Sequence, residues 1–411
     1  MAHSKYGKGL TNHQRGGEFE LLYEGKVPET EVLARSRIPF ERLLDGNTNR
    51  FYYGDNFDGL LDLLHDGYRN QVKLIYIDPP YATKGVFESR DLEHAYDDVH
   101  FGAHFIESLR QRLIVMRELL SDDGSIYVHL DGRMIFQIKV IMDEVFGQEN
   151  FRNMITRKKC NSKNYTRKQY GNISDYILFY SKTAVYTWSQ QFDPLDEEKE
   201  KREYRHIEPE TGRRYMLVPI HAPGVRNGAT GGEWRGMLPP AGKHWQYVPA
   251  KLDAYQERGE IVWSAKGNPR RKVYLDTRPG SPAQDIWLNY RDAHNQNIDI
   301  TGYPTEKNFD LLCRIIEASS NSGDLVLDAF AGSGTTGFAA ERLGRRWIMM
   351  DNSSLAARVI NKRFIHGGKK IGSFKKATST TPLISVNPPF SIYSPLGVNR
   401  AKLADEIGVI F

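Results

Sequence analysis

The chain has 411 residues, of which 40% are hydrophobic and 26% charged, as is ordinary for a water-soluble globular protein. Its formal net charge of +5 suits a nucleic-acid partner, but equally a basic enzyme without one. The two cysteines, Cys160 and Cys313, match no metal or disulfide spacing, which predicts no metal site and favours a reducing cytoplasm. No apolar run approaches the ~18 residues of a membrane span.

Strands and helices alternate along the first part of the chain, which favours a mostly parallel sheet. Residues 1–45 are irregular apart from a short helix predicted at about 30–44. The further elements predicted in chain order are a strand at 50–55, a helix at 58–64, a strand at 73–77, a helix at 105–120, a strand at 125–130, a helix at 134–145 and strands at 151–155 and 175–180.

The strand at 73–77 ends in the most informative segment of the chain, Asp78-Pro79-Pro80-Tyr81. Two prolines cannot continue a strand ladder, so the backbone leaves the sheet stiffly here. A carboxylate, the carbonyl of Pro79 and an aromatic ring are thereby held at the carboxyl end of a strand, where open α/β sheets bind ligands. The set suits the exocyclic amino group of a planar base, because the two oxygens accept its N–H bonds while the ring of Tyr81 stacks on the base.

A densely basic stretch, residues 157–168, follows the strand at 151–155. Its charges suit DNA phosphates, which contribute affinity rather than sequence choice. The alternative is a solvated surface loop. The residues of this stretch predicted to contact DNA are Lys158, Lys159, Lys163, Arg167 and Lys168.

Residues 184–300 differ in character, being rich in Trp, Arg, Gly, Pro and His with weak periodicity. We interpret this range as a loop-rich module inserted into the α/β domain. Arg235 and Lys243 are its candidates for DNA contact. Trp234 and Trp245 are candidates either for its small core or for wedges between bases.

The α/β pattern resumes near residue 302, and a strand at Leu325–Asp328 runs into a glycine-rich turn and a helix. Glycines let a ligand approach the backbone closely, and the amino terminus of a helix favours a carboxylate or phosphate. No Lys-Ser/Thr pair follows Gly334, which argues against a phosphate loop, and the glycine spacing of a dinucleotide site is not met. The remaining candidate ligand is S-adenosylmethionine.

The predicted contacts of this cofactor lie in the turn and after the following strand. Asp351 ends that strand, where an acid accepts hydrogen bonds from ribose hydroxyls, although it could instead cap a helix. The predicted contacts in the turn are Asp328, Phe330, Ala331, Gly332, Ser333, Gly334 and Thr335.

Together, Asp78–Tyr81 and Asp328–Thr336 resemble the catalytic motif and the cofactor loop of the amino-group DNA methyltransferases. The resemblance covers about residues 50–183 and 302–365, and several motifs occur in the family's order. It implies direct methyl transfer from S-adenosylmethionine to a base flipped out of the duplex, without a covalent enzyme intermediate. Asp78 would both hold the amine and border the cofactor.

Two shorter segments add cofactor contacts implied by the resemblance. Gly302–Lys307 is similar to the segment that helps hold the methionine part, which adds Thr305 and Lys307, although Asn308 stands where the family has proline. Asp55 ends a segment similar to the acid-ended strand that faces the cofactor adenine. The alternative role of Asp55 and Thr305 is a helix cap.

The order of the motifs, with the catalytic strand first, resembles the beta class, a circularly permuted Rossmann-like α/β fold with an inserted target-recognition domain. The class implies double-stranded DNA as the substrate and is compatible with a homodimer and a restriction-system partner. The predicted domains are an amino-terminal extension, the catalytic half of the methyltransferase domain, the target-recognition module, the cofactor-binding half and a carboxyl-terminal tail, at residues 1–45, 46–183, 184–300, 301–366 and 367–411.

The segment Ser125–Asp131 resembles adenine-specific members, and aspartate rather than serine at position 78 also favours adenine N6. Cytosine N4 methylation and a catalytically silent DNA-binding subunit stay open, whereas the large insertion disfavours an RNA or protein-glutamine methyltransferase. A near-copy of the motif at Asn387–Phe390 is rejected as the catalytic site. The residues between 364 and 383 contain no apolar run for the strand and helix that such a site would need.

Overall fold

The computed structural model describes most of the chain and divides it into two compact units, of which the second is Gln190–Ala283 and the first is the remainder. The predicted site residues Tyr81, Lys163, Arg167 and Thr305 lie outside the described residues. The described residues are 20–80, 86–88, 94–97, 102–161, 168–292, 299–300, 303, 306–366, 369–370 and 387–410.

A ten-stranded sheet forms the centre of the first unit. In chain order its strands are β1 Phe40–Leu44, β2 Arg50–Tyr53, β3 Val72–Ile77, β4 Leu120–Leu130, β5 Phe151–Lys158, β6 Ser174–Ser181, β7 Ile286–Trp287, β8 Leu325–Asp328, β9 Arg346–Asp351 and β10 Ser391–Pro395. Across the sheet their order is β1-β10-β2-β9-β8-β3-β4-β6-β5-β7. All neighbours pair in parallel except β1 with β10 and β6 with both β4 and β5. This confirms the predicted mostly parallel α/β sheet.

Helices cover both faces of this sheet, so the alternate residues of a central strand enter two different cores. On β3, Ile75 and Ile77 pack into one core, whereas Leu74 and Tyr76 pack into the other. The helices are α1 Glu29–Leu33, α2 Asn56–His65, α3 Ala103–Leu119, α4 Ile135–Phe146, α5 Phe309–Ser319, α6 Thr335–Arg342, α7 Ser354–His366 and α8 Arg400–Ile407. Minor elements are the 3-10 turn Gln148–Asn150 and the paired strands Val86–Glu88 with His94–Asp97 and Asp299–Ile300 with Lys369–Lys370. Among the described residues, no helix has the length and apolarity to cross a membrane.

The predicted helix at 30–44 is wrong beyond its first residues, because Phe40–Leu44 is strand β1. Its partner is β10, in the tail, with Phe40 opposite Pro395. A strand whose partner lies at the other end of the chain leaves no local pattern to predict it.

The near-copy of the motif, Asn387–Phe390, immediately precedes β10. Since β10 runs parallel to β2, the segment lies at the amino end of that strand, away from the carboxyl edge. The ring of Phe390 is fully buried beside Trp347. These placements agree with its rejection as a catalytic site.

The second unit, Gln190–Ala283, is narrower than the predicted module at 184–300 and has a core of its own. Trp234 and Trp245 are each 2% exposed and pack with Ile220 and Leu252, so both are core residues rather than wedges. Its four-stranded sheet consists of His206–Ile207, Arg214–Pro219, Pro269–Tyr274 and Ile261–Trp263. The remaining elements are the ladders His221–Pro223 with Lys243–Trp245 and Phe192–Asp193 with Ser281–Pro282, the helices Glu197–Glu203 and Pro249–Glu257, and the 3-10 turn Leu275–Thr277.

Candidate active site

The strands that carry the two principal motifs are neighbours in the sheet, although the second unit separates them in the chain. β8 pairs in parallel with β3, and Leu327 lies opposite Ile75. β9 and β2 continue the sheet in the same direction beside β8. Because parallel strands end at one edge, Asp78, Asp328 and Asp351 all lie at the carboxyl edge of the sheet.

Asp78 directly follows β3 and is held from two sides. Pro79 is buried and Pro80 half-buried, which anchors the backbone as it leaves the sheet. Oδ2 of Asp78 forms an ion pair with Nζ of Lys307, whose side chain is 10% exposed. Asp78, predicted to act in catalysis and to border the cofactor, is therefore in direct contact with Lys307, predicted to hold the cofactor.

A network of buried polar side chains lies on the same face of the sheet. Oη of Tyr76 is 2.8 Å from Nδ1 of His129, and Nε2 of that ring lies 3.1 Å from Oδ2 of Asp175 without hydrogen-bond geometry. Arg157, which is fully buried, donates to Asp175 at 3.0 Å and to Asp292 at 2.6 Å. Sequence reasoning missed this network, and it placed Arg157 in the surface-exposed basic stretch, which is wrong.

Asp175 of this network interacts electrostatically with Lys307, the ionic partner of Asp78. Burial opposes ionisation of Asp175, yet His129, Arg157 and Lys307 together hold the pKa of its carboxyl well below the ordinary value. Asp175 therefore carries a buried negative charge near the Lys307 ammonium.

Asp328 closes the turn that follows β8. Its Oδ1 accepts a hydrogen bond from the Phe330 amide at 2.9 Å, and its Oδ2 accepts one from the Thr336 hydroxyl at 2.5 Å. Burial raises the pKa of Asp328 to about 7, and the charges of Asp78 and Asp351 act in the same direction.

The glycines of this turn are required by its shape. Gly332 and Gly334 have φ of +50° and +72°, in the left-handed region that favours glycine. A Cβ atom on Gly334 would lie 2.7 Å from Cγ1 of Ile360, and one on Gly337 would lie 2.6 Å from Met349. Gly334 thus combines a left-handed backbone with close contact to Ile360, whereas at Gly337 the flexible end of Met349 would have to move.

Asp351 supports the same turn from β9. Its Oδ2 accepts a hydrogen bond from the Gly332 amide at 2.8 Å, and its Oδ1 accepts one from the Ser353 amide at 2.9 Å. Burial raises the pKa of this carboxyl. Each carboxylate oxygen keeps a further lone pair to accept a hydrogen bond from a ribose hydroxyl. The ribose contact of Asp351 itself stays a prediction.

Asp55 caps α2, the alternative role considered for it. Its carboxylate accepts hydrogen bonds from the Phe57 and Asp58 amides at 2.8 and 3.3 Å and pairs with Arg112 at 3.0 Å. The side chain is 49% exposed. A contact with the cofactor adenine stays a prediction.

Sequence reasoning missed Asn56, which ties α2 to the turn. Its Nδ2 donates to the carbonyl oxygen of Ala329 at 2.6 Å, and its Oδ1 accepts from Nε of Arg112. The position directly after Asp55 was the available signal.

Asn308, which stands where the family has proline, caps α5. Its Oδ1 accepts hydrogen bonds from the amides of Asp310 and Leu311 at 2.8 and 3.2 Å. The asparagine thus accepts hydrogen bonds from two amides at the start of a helix. Proline could not do this, because its side chain has no acceptor.

The predicted DNA contacts occupy varied positions. Lys158 and Lys159 are half-buried at the end of β5, and Lys168 is exposed. Arg235 pairs with Asp253 at 2.8 Å, and Lys243 lies half-buried in a two-stranded ladder. Contact of these residues with DNA stays a prediction.

The sheet is mostly parallel, and its carboxyl edge brings an Asp-Pro-Pro segment beside a glycine turn. This combination defines an enzyme of the methyltransferase class. The model of a DNA methylase family, which includes N6 and N4 enzymes, matches residues 72–362. This chain belongs to that family, which uses S-adenosylmethionine.

Two curated relatives agree with this assignment. The chain is 48% identical over 369 residues to the type II methyltransferase M.EcaI of Enterobacter cloacae, which covers 87% of this chain and 80% of that protein. It is 30% identical over 340 residues to the type III restriction-modification enzyme StyLTI Mod subunit of Salmonella typhimurium, which covers 72% of this chain and 50% of that subunit. Among solved structures, the PvuII DNA methyltransferase (cytosine-N4-specific) matches with a TM-score of 0.44 at 15% identity, over 88% of this chain and 93% of that one.

Proposed function

We propose that the protein methylates adenine N6 in double-stranded DNA, as the modification enzyme of a restriction system. One observation carries the proposal: the Asp78-Pro79 segment leaves the sheet beside the strand that ends in the Asp328 turn. Aspartate at position 78 supports adenine, and the names of the curated relatives support the restriction system. Cytosine N4 is the second candidate, since the family includes both kinds of enzyme.

The residues at the carboxyl edge fit S-adenosylmethionine. The glycine turn leads into the amino terminus of α6, whose dipole suits the carboxylate of the methionine part. Acids at the ends of β9 and β2 suit the ribose and adenine parts. The residues proposed to hold the cofactor are Asp55, Asp78, Thr305, Lys307, Asp328, Phe330, Ala331, Gly332, Ser333, Gly334, Thr335 and Asp351.

The bound cofactor supplies an electrophilic methyl group on a sulfonium. The exocyclic amine is a weak nucleophile, because its lone pair is delocalised into the base. The Asp78 carboxylate and the Pro79 carbonyl each accept a hydrogen bond from one N–H group of this amine. These two hydrogen bonds favour a tetrahedral nitrogen, whose lone pair then faces the methyl group. Lys307 orients that carboxylate. Positioning and electrostatics thus supply most of the acceleration.

The target base must leave the duplex to reach Asp78, which costs a few kcal/mol. Stacking of Tyr81 on the flipped base offsets about 1–3 kcal/mol of this cost. We assign target recognition to the second unit, with DNA contacts at Arg235 and Lys243. The remaining proposed contacts are Lys158, Lys159, Lys163, Arg167 and Lys168.

The test is to incubate the protein with duplex DNA and S-adenosylmethionine, digest the DNA to nucleosides and weigh them. N6-methyladenine is the expected product. N4-methylcytosine as the sole product would replace the first candidate with the second. Cofactor and DNA binding without any methylated base would favour the catalytically silent DNA-binding subunit.

A further inference from the structure

A buried ion pair joins the two segments that the proposed function assigns to the cofactor. Nη2 of Arg363, on α7, lies 3.0 Å from Oε1 of Glu306, and the two side chains are 4% and 1% exposed. Nη1 of the same guanidinium donates to the carbonyl oxygen of Ser333 and to Oγ1 of Thr335, both at 2.9 Å. One planar group therefore holds the glycine turn and the segment before α5 together.

The segment around Glu306 is tied to three different parts of the site. Glu306 reaches the glycine turn through Arg363, and the next residue, Lys307, pairs with Asp78. Asn308 then caps α5. A displacement of the turn relative to this segment would therefore also displace the ammonium beside Asp78.

Stability alone does not account for a charged pair at this position. Burial lowers the pKa of the Arg363 guanidinium, which shows that desolvation acts against its charge. Apolar side chains of similar volume commonly replace a buried ion pair without loss of stability. What they cannot replace is the fixed fork of donors, which serves several acceptors in one geometry.

We propose that Arg363 and Glu306 are positioning residues, which hold the glycine turn and Lys307 in the relative placement that binds the cofactor. The inference rests on the proposed function. Neither residue is assigned a contact with the reacting atoms.

The first variant that tests this inference is Arg363→Lys. A lysine keeps the charge and can pair with Glu306, but its single ammonium does not reproduce the fork that also holds Ser333 and Thr335. We expect the variant to fold with a lower melting temperature, because Ser333 and Thr335 lose a buried donor, and to bind S-adenosylmethionine ~10-fold or more weakly in calorimetry. Without cofactor, amide hydrogen exchange in the turn should become faster. Equal affinity and equal exchange would overturn the inference.

The matched control is Lys362→Met, which removes an exposed charge from the adjacent position of α7. It should leave the melting temperature, the affinity and the exchange unchanged. A loss of cofactor affinity in this control equal to that of Arg363→Lys would overturn the inference, because any substitution in this part of the helix would then suffice.

The double variant Glu306→Leu with Arg363→Met separates positioning from stability. Removing both charges leaves no unpaired buried ion, so the double variant should be more stable than either single one. Positioning predicts that cofactor affinity stays low in the double variant, whereas recovery of both stability and affinity would overturn it. If the unsubstituted protein binds no S-adenosylmethionine, the proposed function fails and this inference with it; equal binding by the protein and its variants defeats the inference alone.

Discussion

Nζ of Lys307 and Oδ2 of Asp78 form an ion pair at the carboxyl edge of the sheet. The second unit separates the two residues in the chain, and the pairing of β8 with β3 brings their segments together. Asp78 is the proposed acceptor of a hydrogen bond from the target amine. We therefore expect the ammonium of Lys307 to set the orientation of that carboxylate toward the amine.

Replacing Lys307 by Met should lower the rate of methyl transfer ~100-fold, because an acceptor misplaced by about 1 Å loses catalysis on this scale. Lys307→Arg keeps a cation and should retain part of the rate. The measurement is single-turnover methylation at saturating cofactor, so that weaker binding does not contribute. An unchanged rate for Lys307→Met would refute an orienting role.

The variants Asp78→Asn and Asn387→Ala distinguish the two similar segments. The first should abolish methyl transfer without unfolding the protein. The second should keep the activity and lower the free energy of unfolding by about 1–2 kcal/mol, because Asn387 bonds the backbone of Ile410 at 2.8 and 3.0 Å. The checks are product mass spectrometry and urea unfolding. The opposite pattern of activities would transfer the catalytic role to the tail.

Stability should depend on pH through Asp328, whose pKa burial raises to about 7. In the unfolded chain the group titrates near pH 4, so the folded protein holds this proton more tightly. The resulting stabilisation is complete below about pH 4 and is lost as the pH rises through about 7, with an upper magnitude of the order of 4 kcal/mol.

Asp328→Asn should therefore flatten the pH dependence of the free energy of unfolding in this window. Urea titrations at several pH values measure it. Asp405→Asn, at an exposed aspartate of α8, is the control and should keep the original dependence. An unaltered profile in Asp328→Asn would show that this carboxyl does not titrate as described.

Arg157→Met should destabilise the fold by about 3–5 kcal/mol, because it removes the buried guanidinium that pairs with the carboxylates of Asp175 and Asp292. The neighbouring change Lys158→Met alters a half-buried side chain outside this network and should stay within about 0.5 kcal/mol. Urea unfolding of the two variants compares them directly. Similar small effects would mean that the buried network contributes little to stability.

Lys158→Gln, Lys159→Gln and Lys168→Gln should each weaken DNA binding similarly for all sequences. Each lost phosphate contact should reduce the slope of log affinity against log salt by about 1. Salt titrations of fluorescence anisotropy measure this slope. Lys201→Gln, in the acidic helix Glu197–Glu203, is the control. Slopes unchanged in all three variants would assign the basic stretch to a solvated loop.

The sequence alone determined the features that depend on neighbouring residues. The apolar run before Asp78, the two prolines after it, and the glycines at 332 and 334 restrict the backbone locally. Strand, motif and turn were therefore predictable at these places, as was the mostly parallel sheet. From the order of the motifs followed the family, which the comparisons confirm.

The tertiary structure decided which distant residues meet. The pairing of β1 with β10 turned part of a predicted helix into a strand and gave the tail a place in the sheet. Arg157, predicted to lie at the surface, belongs to a buried network. The ion pairs of Lys307 with Asp78 and of Arg363 with Glu306 depend on the assembled sheet. Ionic partners must be close in space but need no particular spacing in the chain. For this reason no sequence pattern predicts these pairs.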